Sequence, residues 1–286
     1  MNPRRQRPAA ATASTPHRLP PARKRFGQHF LKDTRVLDAI VNALGPLDGR
    51  TVIEIGPGRG VLTDRLVERA ARVVAVEVDR DLVAHLRTRY AGLAHVEIVE
   101  ADVLTVSLPS LADGPFVLAG NVPYYITTPI IFHALQSPRP AIAVYLVQKE
   151  VADRLAAPPG DKTYGALSVN VQAVARVELV RRVLPSSFQP PPTVDSAVVR
   201  IVPRMSVVIE PKYEAHFRAF VQSAFGLRRK QLVRIIRTIT GLDPDQAAAV
   251  IASCALTPEL RPEVLTAEDF ARLVLGLDAF TRARDR

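Results

Sequence analysis

The residues best suited to chemistry stand where an apolar run stops abruptly. Residues 116–125, FVLAGNVPYY, combine a short buried run with an amide, a proline turn and paired aromatic rings. Pro123 fixes its own φ and biases Val122 toward extended geometry, so the carbonyls of Asn121 and Val122 stay available as acceptors. Tyr124 adds an aromatic face beside them. Because α/β proteins place their chemistry at strand ends, this turn predicts a functional site.

A glycine loop supplies a second candidate site. GPGRG at 56–60 follows the β-branched run 51–55 and opens a helix, which lets backbone amides approach a ligand closely. Glu77 ends the next strand about 20 residues beyond Gly56, the distance at which a carboxylate can accept both hydroxyls of a ribose. These features together predict an adenosine-containing cofactor, although glycines alone also serve plain turns. A dinucleotide and S-adenosylmethionine both remain open at this point.

Other candidate residues have two interpretations each. Asp102 follows the third predicted strand, where it could accept from an adenine amino group or cap a turn. Phe188 lies in a proline-rich loop, where it is either a platform facing Tyr124 across a base or a plug at the sheet edge. The histidines lack metal-ligand spacing, so no metal is expected. The single cysteine, Cys254, excludes an internal disulfide.

The elements that position these residues alternate along the chain. Apolar runs predict strands at 51–55, 73–77, 96–99, 116–121, 141–147, 177–183 and 197–202. Helical patterns separate the first five strands, which implies an α/β fold with a mostly parallel sheet covered on both faces. The last two strands have no clear helix between them and predict an antiparallel edge hairpin. Beyond Pro211 only helical patterning remains, which predicts a small all-α domain from about residue 205.

Charge is concentrated in two basic segments. The net charge is +10, and residues 1–25 hold seven cationic residues and no acid. A second acid-free stretch, 217–240, carries Arg218, Arg228, Arg229, Lys230, Arg234 and Arg237. Two such segments predict a polyanionic partner, the alternative being solvated charge that only helps solubility. No apolar run reaches the roughly 18 residues of a membrane span and the N-terminus lacks the apolar core of a secretory signal, so a cytoplasmic protein is expected.

Seven motifs together resemble the KsgA (RsmA) family of ribosomal RNA small-subunit adenine-N6,N6-dimethyltransferases, which is related to the Erm methylases. They are FGQHFL at 26–31, EIGPGRG at 54–60, VEVD at 76–79, GNVPYY at 120–125, QKEVA at 148–152, FQPPPTVDS at 188–196 and FGLRRK at 225–230. The resemblance implies a Rossmann-like class I methyltransferase sheet with a small helical domain. It divides the chain into a disordered basic tail at 1–24, a methyltransferase domain at 25–204 and a helical RNA-binding domain at 205–286.

The resemblance also implies the roles of individual residues. The S-adenosyl-L-methionine site would be lined by His29, Leu31, Gly56, Glu77, Asp102 and Asn121. His29 stands where the family commonly has asparagine, and Val122 where leucine is usual. The catalytic residues would be Asn121, Tyr124 and Phe188. Asn121 and a backbone carbonyl of the 121–123 turn would hold the N6 of an extruded adenine, which the two rings would sandwich.

The implied reaction is dimethylation of N6 of two adjacent adenosines in a loop near the 3′ end of 16S rRNA. The substrate would be the immature 30S subunit, gripped by the basic helices and the N-terminal tail of a monomeric enzyme. Three alternatives stay open: an Erm-type methylase of the large subunit, an assembly factor for which methylation is secondary, and a nicotinamide dehydrogenase. The helical C-terminal domain and the 225–230 segment favour the small subunit.

Overall fold

The computed structural model describes residues 20, 21, 23 and 28–284. Most of the basic tail at 1–24, and the beginning of the FGQHFL motif, therefore lie outside the described residues. Within them the strands are β1 (Phe30–Leu31), β2 (Thr51–Ile55), β3 (Arg72–Glu77), β4 (Val96–Glu100), β5 (Phe116–Asn121), β6 (Ala143–Gln148), β7 (Ala175–Val183), β8 (Phe188–Gln189) and β9 (Ser196–Pro203). The helices are α1 (Thr34–Leu44), α2 (Val61–Val67), α3 (Arg80–Arg89), α4 (Thr127–Ala134), α5 (Lys149–Ala156), α6 (Ala166–Gln172), α7 (Glu214–Gly226), α8 (Leu232–Thr240), α9 (Pro244–Ser253) and α10 (Ala267–Arg284).

The large sheet has seven strands in the order β4-β3-β2-β5-β6-β9-β7. Strands β2 to β6 run parallel, and β9 lies antiparallel between β6 and β7. The predicted parallel sheet with an antiparallel edge is therefore confirmed. Strand order reverses between β2 and β5, because the chain builds outward from β2 to β4 and then returns to add β5. In open α/β sheets such a reversal leaves a crevice at the carboxyl ends of the strands.

Side chains of the central strands alternate between two cores. Val52 and Val117 pack with α1 and α2 on one face, whereas Ile53 and Leu118 belong to the core on the other face. All four of these side chains are fully buried. Burial on both faces explains why these strands read as continuous β-branched and apolar runs rather than as alternating ones.

The C-terminal helices share the second core with the sheet, and they confirm the expected small helical region. Phe220 and Phe270 are buried there and meet edge to face, with ring centroids 6.3 Å apart. The sequence does not predict α6, whose residues Leu167–Val171 are all buried. A helix enclosed on every side lacks the amphipathic period by which helices are found. No helix within 28–284 is long and apolar enough to cross a membrane.

A second, two-stranded sheet joins distant parts of the chain and is absent from the predictions. We call β1 with β8 the mini-sheet. Phe30 pairs with Gln189 and Leu31 with Phe188, in antiparallel register. The amide of Lys32 extends the pairing by donating to Ser187 O at 2.9 Å. The mini-sheet thereby carries the N-terminal segment to the end of β5, where the predicted acceptor turn lies.

Candidate functional site

A cavity opens at the carboxyl ends of β2, β3 and β5. Its wall is formed by Leu37, Glu54, Leu82 and by residues 28–31, 56–59, 61–62, 77–78 and 121–126. These segments are the glycine loop, the end of β3, the acceptor turn and the strand β1 with its flank. The cavity therefore occupies the crevice that the strand order creates.

The glycine loop is tightly enclosed by side chains. Gly58 and Gly60 have φ of +60° and +84°. A Cβ at Gly60 would lie 2.5 Å from the hydroxyl of Tyr90, and a Cβ at Gly58 would lie 3.1 Å from the ring of Phe30. Glycine is needed at both positions for conformation and for space. The backbone of the loop can therefore form part of the cavity wall while Phe30 and Tyr90 pack against its glycines.

Glu77 fastens this loop to the end of β3. The carboxylate is buried, and it accepts from the amides of Gly58 at 3.1 Å, Val78 at 2.9 Å and Asp79 at 3.0 Å. Burial raises the pKa of Glu77, and these N–H groups oppose the rise. The sequence predicts Glu77 as a ribose acceptor. The structure places it in the cavity wall and shows a further role in holding the loop.

Glu54 is a site residue that sequence reasoning missed. It is 1% exposed, lines the cavity, and its Oε2 accepts no hydrogen bond from any described residue. Burial raises its pKa to about 8; the Thr63 hydroxyl opposes that rise, and the charges of Glu77 and Asp64 add to it. The available signal was an acid inside the otherwise apolar TVIEI run.

The acceptor turn is oriented by one hydrogen bond. Asn121 donates from Nδ2 to the carbonyl of His29 at 2.9 Å, which leaves Oδ1 as the acceptor end of the amide. The carbonyl of Pro123 accepts from the Ile126 amide and the Thr127 hydroxyl, at 3.2 Å each. Among described residues, nothing donates to the carbonyl of Val122. Asn121 Oδ1 and Val122 O are thus two acceptors of the turn that no described residue uses.

Aromatic rings stand beside these acceptors. Tyr124 is partly buried and its hydroxyl lies 2.6 Å from Ser196 Oγ. The imidazole of His29 stacks on Tyr124, with ring centroids 5.9 Å apart and 21° between the planes. Nδ1 of His29 donates to Pro190 O at 2.9 Å, because a carbonyl can only accept. Tyr125 is 63% exposed at the cavity mouth.

Phe188 is buried and does not line the cavity beside Tyr124. Its side chain is 1% exposed, belongs to the core under α1, and is not part of the cavity wall. Pairing of β8 with β1 turns the ring inward, an arrangement that the surrounding prolines gave no reason to expect. The burial of Phe188 fits its alternative interpretation as a plug, its role as a base platform stays a prediction, and the ring in contact with Tyr124 is that of His29.

Asp102 also lies apart from the cavity wall. Its carboxylate caps a short turn by accepting from the Leu104 amide at 3.0 Å, which was the alternative interpretation. The other expected cofactor residues, His29, Leu31, Gly56, Glu77 and Asn121, do come together in one wall. No group of three His, Cys, Asp or Glu residues within the described part is arranged to hold a metal ion.

Described residues of the segment assigned to a tail contact the protein around the glycine loop. Arg23 pairs with Asp79 at 3.0 Å and with Asp81. The guanidinium of Arg59 donates to Pro20 O at 2.8 Å. Residues numbered below the expected boundary at 24 therefore contact the elements around the glycine loop.

Four features define the class of this protein. They are a parallel sheet with an antiparallel hairpin at its edge, a glycine loop after β2, a buried acid that ends β3 and paired acceptors that end β5. This combination is that of a class I methyltransferase that acts on an amino group. The model of the family described as "Ribosomal RNA adenine dimethylase" matches residues 21–275. The chain belongs to this family and is an rRNA adenine dimethyltransferase.

Similar proteins agree in sequence and in structure. The "Ribosomal RNA small subunit methyltransferase A" of Xanthomonas campestris pv. campestris is 42% identical over 255 residues, which cover 88% of this chain and 95% of the relative. A dimethyladenosine transferase from Plasmodium falciparum has a similar structure, with a TM-score of 0.74 and 27% identity over 88% of this chain and 98% of that one. The 23S rRNA methyltransferase ErmE has a TM-score of 0.69, also at 27% identity, over 87% of this chain and 99% of that one.

Proposed function

We propose that this enzyme dimethylates N6 of two adjacent adenosines near the 3′ end of 16S rRNA, in the immature 30S subunit, with S-adenosylmethionine as methyl donor. The observation that carries the proposal is the orientation of Asn121. Its amide is held by His29 O, so that Oδ1 and Val122 O form two acceptors beside Tyr124. Two acceptors next to a ring suit an exocyclic amino group on a planar base.

The cavity fits the proposed cofactor. Gly56 and Gly58 line the wall without side chains, and Glu77 offers a carboxylate to ribose hydroxyls. Glu54 adds a buried carboxyl with an unpaired oxygen, which suits a cationic ligand. When bound, S-adenosylmethionine supplies an electrophilic methyl group on a sulfonium.

The acceptor turn would act on the nucleophile. The lone pair of adenine N6 is delocalised into the ring, so the nitrogen must become tetrahedral before it attacks. Asn121 Oδ1 and Val122 O bind its N–H groups more strongly as positive charge develops, which favours the transition state over the ground state. Tyr124 would orient the base by stacking. A strong base is unnecessary, because the product nitrogen is acidic and releases its proton readily.

The second transfer places a different demand on the same turn. After the first transfer N6 keeps a single N–H, which needs one of the two acceptors. The first methyl group must then lie beside the other acceptor. Room at the Val122 carbonyl and the Asn121 amide therefore decides whether the reaction proceeds to the dimethylated product.

The C-terminal helices would hold the RNA. Arg229, Lys230, Arg234 and Arg237 are exposed on or before α8, in a stretch without acids. A run of exposed cations attracts phosphates in a salt-dependent manner. The small-subunit relatives favour this substrate, and we propose a monomeric enzyme that acts in the cytoplasm.

The deciding experiment uses immature 30S particles, mature 30S particles and 50S particles with labelled S-adenosylmethionine. We expect N6,N6-dimethyladenosine at two adjacent positions of 16S rRNA from the immature particles. The structural likeness to ErmE favours a second candidate, in which the substrate is 23S rRNA. Labelling of 50S particles in preference to 30S would support that candidate, and monomethyl product alone would refute dimethylation.

A further inference from the structure

The mouth of the cavity carries an aromatic ring that the proposed catalysis does not use. Tyr125 lines the cavity and is 63% exposed. Every other phenylalanine and tyrosine that the structure describes is buried or half-buried. Tyr125 makes no hydrogen bond or ring contact with another described residue, whereas Tyr124 is held by Ser196 and His29. A large ring left in water at a ligand site indicates a partner that arrives with the ligand.

The backbone holds Tyr125 in this position. Tyr124–Ile126 form a single 3₁₀ turn that leads into α4. The amide of Ile126 donates to Pro123 O at 3.2 Å, and the Ile126 side chain packs against the core. Because the residues on both sides of Tyr125 are anchored, only the two side-chain torsions of its ring remain free. Little conformational entropy is then lost when another ring packs against it.

Tyr124 and Tyr125 are directed away from each other rather than toward the two faces of one base. A 3₁₀ turn has about three residues per turn, so successive side chains point in directions about 120° apart. The ring of Tyr124 is half-buried, with its hydroxyl 2.6 Å from Ser196 Oγ, and that of Tyr125 lies at the mouth. Since Tyr124 is the ring beside the acceptors, Tyr125 is suited to a second planar group that stays outside them.

Base extrusion creates such a planar group. An adenosine that leaves its stack to enter the cavity uncovers a face of the neighbouring base, and this unstacking costs free energy. An aromatic side chain can replace the lost stacking partner, and it does so for any base, because every base has a π face. Methylation of N6 leaves the π face of adenine intact. One ring at the mouth can therefore serve both adenosines of a pair, in either order.

We propose that Tyr125 is the stacking platform for the nucleotide next to the adenosine in the cavity, and that it thereby positions an adjacent pair of adenosines for successive modification. This inference rests on the proposed function, because it requires an extruded adenosine with an RNA neighbour. Tyr125 is a positioning residue: it holds the flanking base, while Asn121 and Val122 act on the amino group. Its loss should weaken binding of the RNA and leave the reaction of the bound RNA nearly intact.

Paired changes in the enzyme and in the RNA test this platform. 30S particles are assembled in vitro with 16S rRNA that carries, next to one target adenosine, either the second adenosine or an abasic nucleotide. Methylation of the first adenosine is then followed. With the adenosine pair, we expect Tyr125→Ala to raise the KM for the particle by about 5–150-fold with little change in kcat, the effect of losing one base-stacking contact.

Tyr125→Phe is the matched control, since it keeps the ring and lacks only a hydroxyl without a described partner; its KM should equal that of the unmodified protein. The abasic nucleotide should raise the KM of the unmodified protein by a factor similar to that of Tyr125→Ala. It should change the KM of Tyr125→Ala by less than about twofold, because each change removes the same contact. A purely structural role of Tyr125 would not produce this coupling.

The inference and the proposed function fail in different ways. An equal effect of the abasic nucleotide on the unmodified protein and on Tyr125→Ala overturns the platform and leaves the function intact. So does a rise in the Kd for S-adenosylmethionine by the same factor as the KM, which would make Tyr125 part of the cofactor wall. Failure of the unmodified protein to methylate any 30S particle refutes the function, and the inference with it. Should Tyr125→Ala not fold, an unchanged KM of the unmodified protein for the abasic particle would refute the platform.

Discussion

The two halves of the cavity are held together in opposite ways. In the glycine-loop half, apart from the unpaired oxygen of Glu54, the protein's own groups satisfy one another: Glu77 binds three amides, and Tyr90 donates to Gly60 O at 2.8 Å. In the acceptor half, Asn121 Oδ1 and Val122 O accept nothing from the described residues, and a single bond to His29 orients the amide. The glycine-loop half is preorganised by its own hydrogen bonds, whereas the acceptor half keeps unoccupied acceptors for the reacting group.

The acceptor half is supported by the mini-sheet, and the core under the mini-sheet can be disrupted by mutation. We expect Phe188→Ala to lower the free energy of unfolding by about 3–5 kcal/mol, because it empties the core under the mini-sheet. It should also weaken S-adenosylmethionine binding, since β1 carries His29 and Leu31 to the cavity. Chemical denaturation and titration calorimetry measure the two effects.

Two controls separate packing from stacking at Phe188. Phe270→Ala empties the other core at a similar cost but should leave cofactor affinity unchanged in the folded protein. Phe188→Leu keeps most of the apolar volume and should retain activity. A large fall in the single-turnover rate of a stable Phe188→Leu variant would restore Phe188 as a base platform.

Removing a reserved acceptor should affect the reaction more than binding. We expect Asn121→Ala to lower the single-turnover methylation rate by about 10²–10³-fold, the usual cost of one transition-state hydrogen bond in an enclosed site. The Kd for S-adenosylmethionine should change less than about tenfold. Asn42→Ala, an exposed amide on α1, is the control. An equal loss in rate and affinity would show that the two halves are not separate.

The glycine-loop half should show the converse behaviour. In the unmodified protein, backbone N–H groups donate to the carboxylate oxygens of Glu77. In Glu77→Gln some of these N–H groups face an amide NH₂, which cannot accept from them. We expect the Kd for S-adenosylmethionine to rise by about 10–100-fold, the loss of one or two charge-assisted hydrogen bonds. The methylation rate at saturating cofactor should change little. A rate defect that saturating cofactor does not relieve would contradict the division between the halves.

The smallest effect is expected at the ring that faces Tyr124. His29→Asn keeps the backbone carbonyl that orients Asn121 but removes the stack. We expect the KM for the RNA particle to rise by about 3–10-fold with little change in kcat, as for loss of one aromatic contact. His29→Phe keeps a ring without the bond to Pro190, and its KM for the RNA particle should lie between those of the unmodified protein and His29→Asn. A lower kcat with an unchanged KM would place His29 in the chemical step instead.

Sequence patterns predicted what is local in this molecule. The strands, the glycine loop, Glu77 and Asn121 are each specified by neighbours within one strand and one turn. The mini-sheet is not, since its two strands are distant in sequence and short, and the burial of Phe188 depends entirely on that pairing. The adenine contact of Asp102 stays a prediction, because a turn cap and an adenine contact need the same residue type at a strand end.

Two further features required the tertiary structure. The unpaired oxygen of Glu54 exists only because β2 is covered on both faces. The ion pair of Arg23 with Asp79 crosses a boundary that composition placed at residue 24. Deleting residues 1–23 therefore removes this ion pair as well as basic charge.

The mini-sheet also sets when the enzyme can become complete during its own synthesis. Translation produces β1 first, but its partner β8 follows only after six of the seven large-sheet strands, β2 to β7, have been made. Until then His29 has no Pro190 to bind, and the N-terminal side of the cavity is unsupported. A nascent chain can build the glycine loop early, yet it gains a closed cofactor site only when about two-thirds of the chain has left the ribosome.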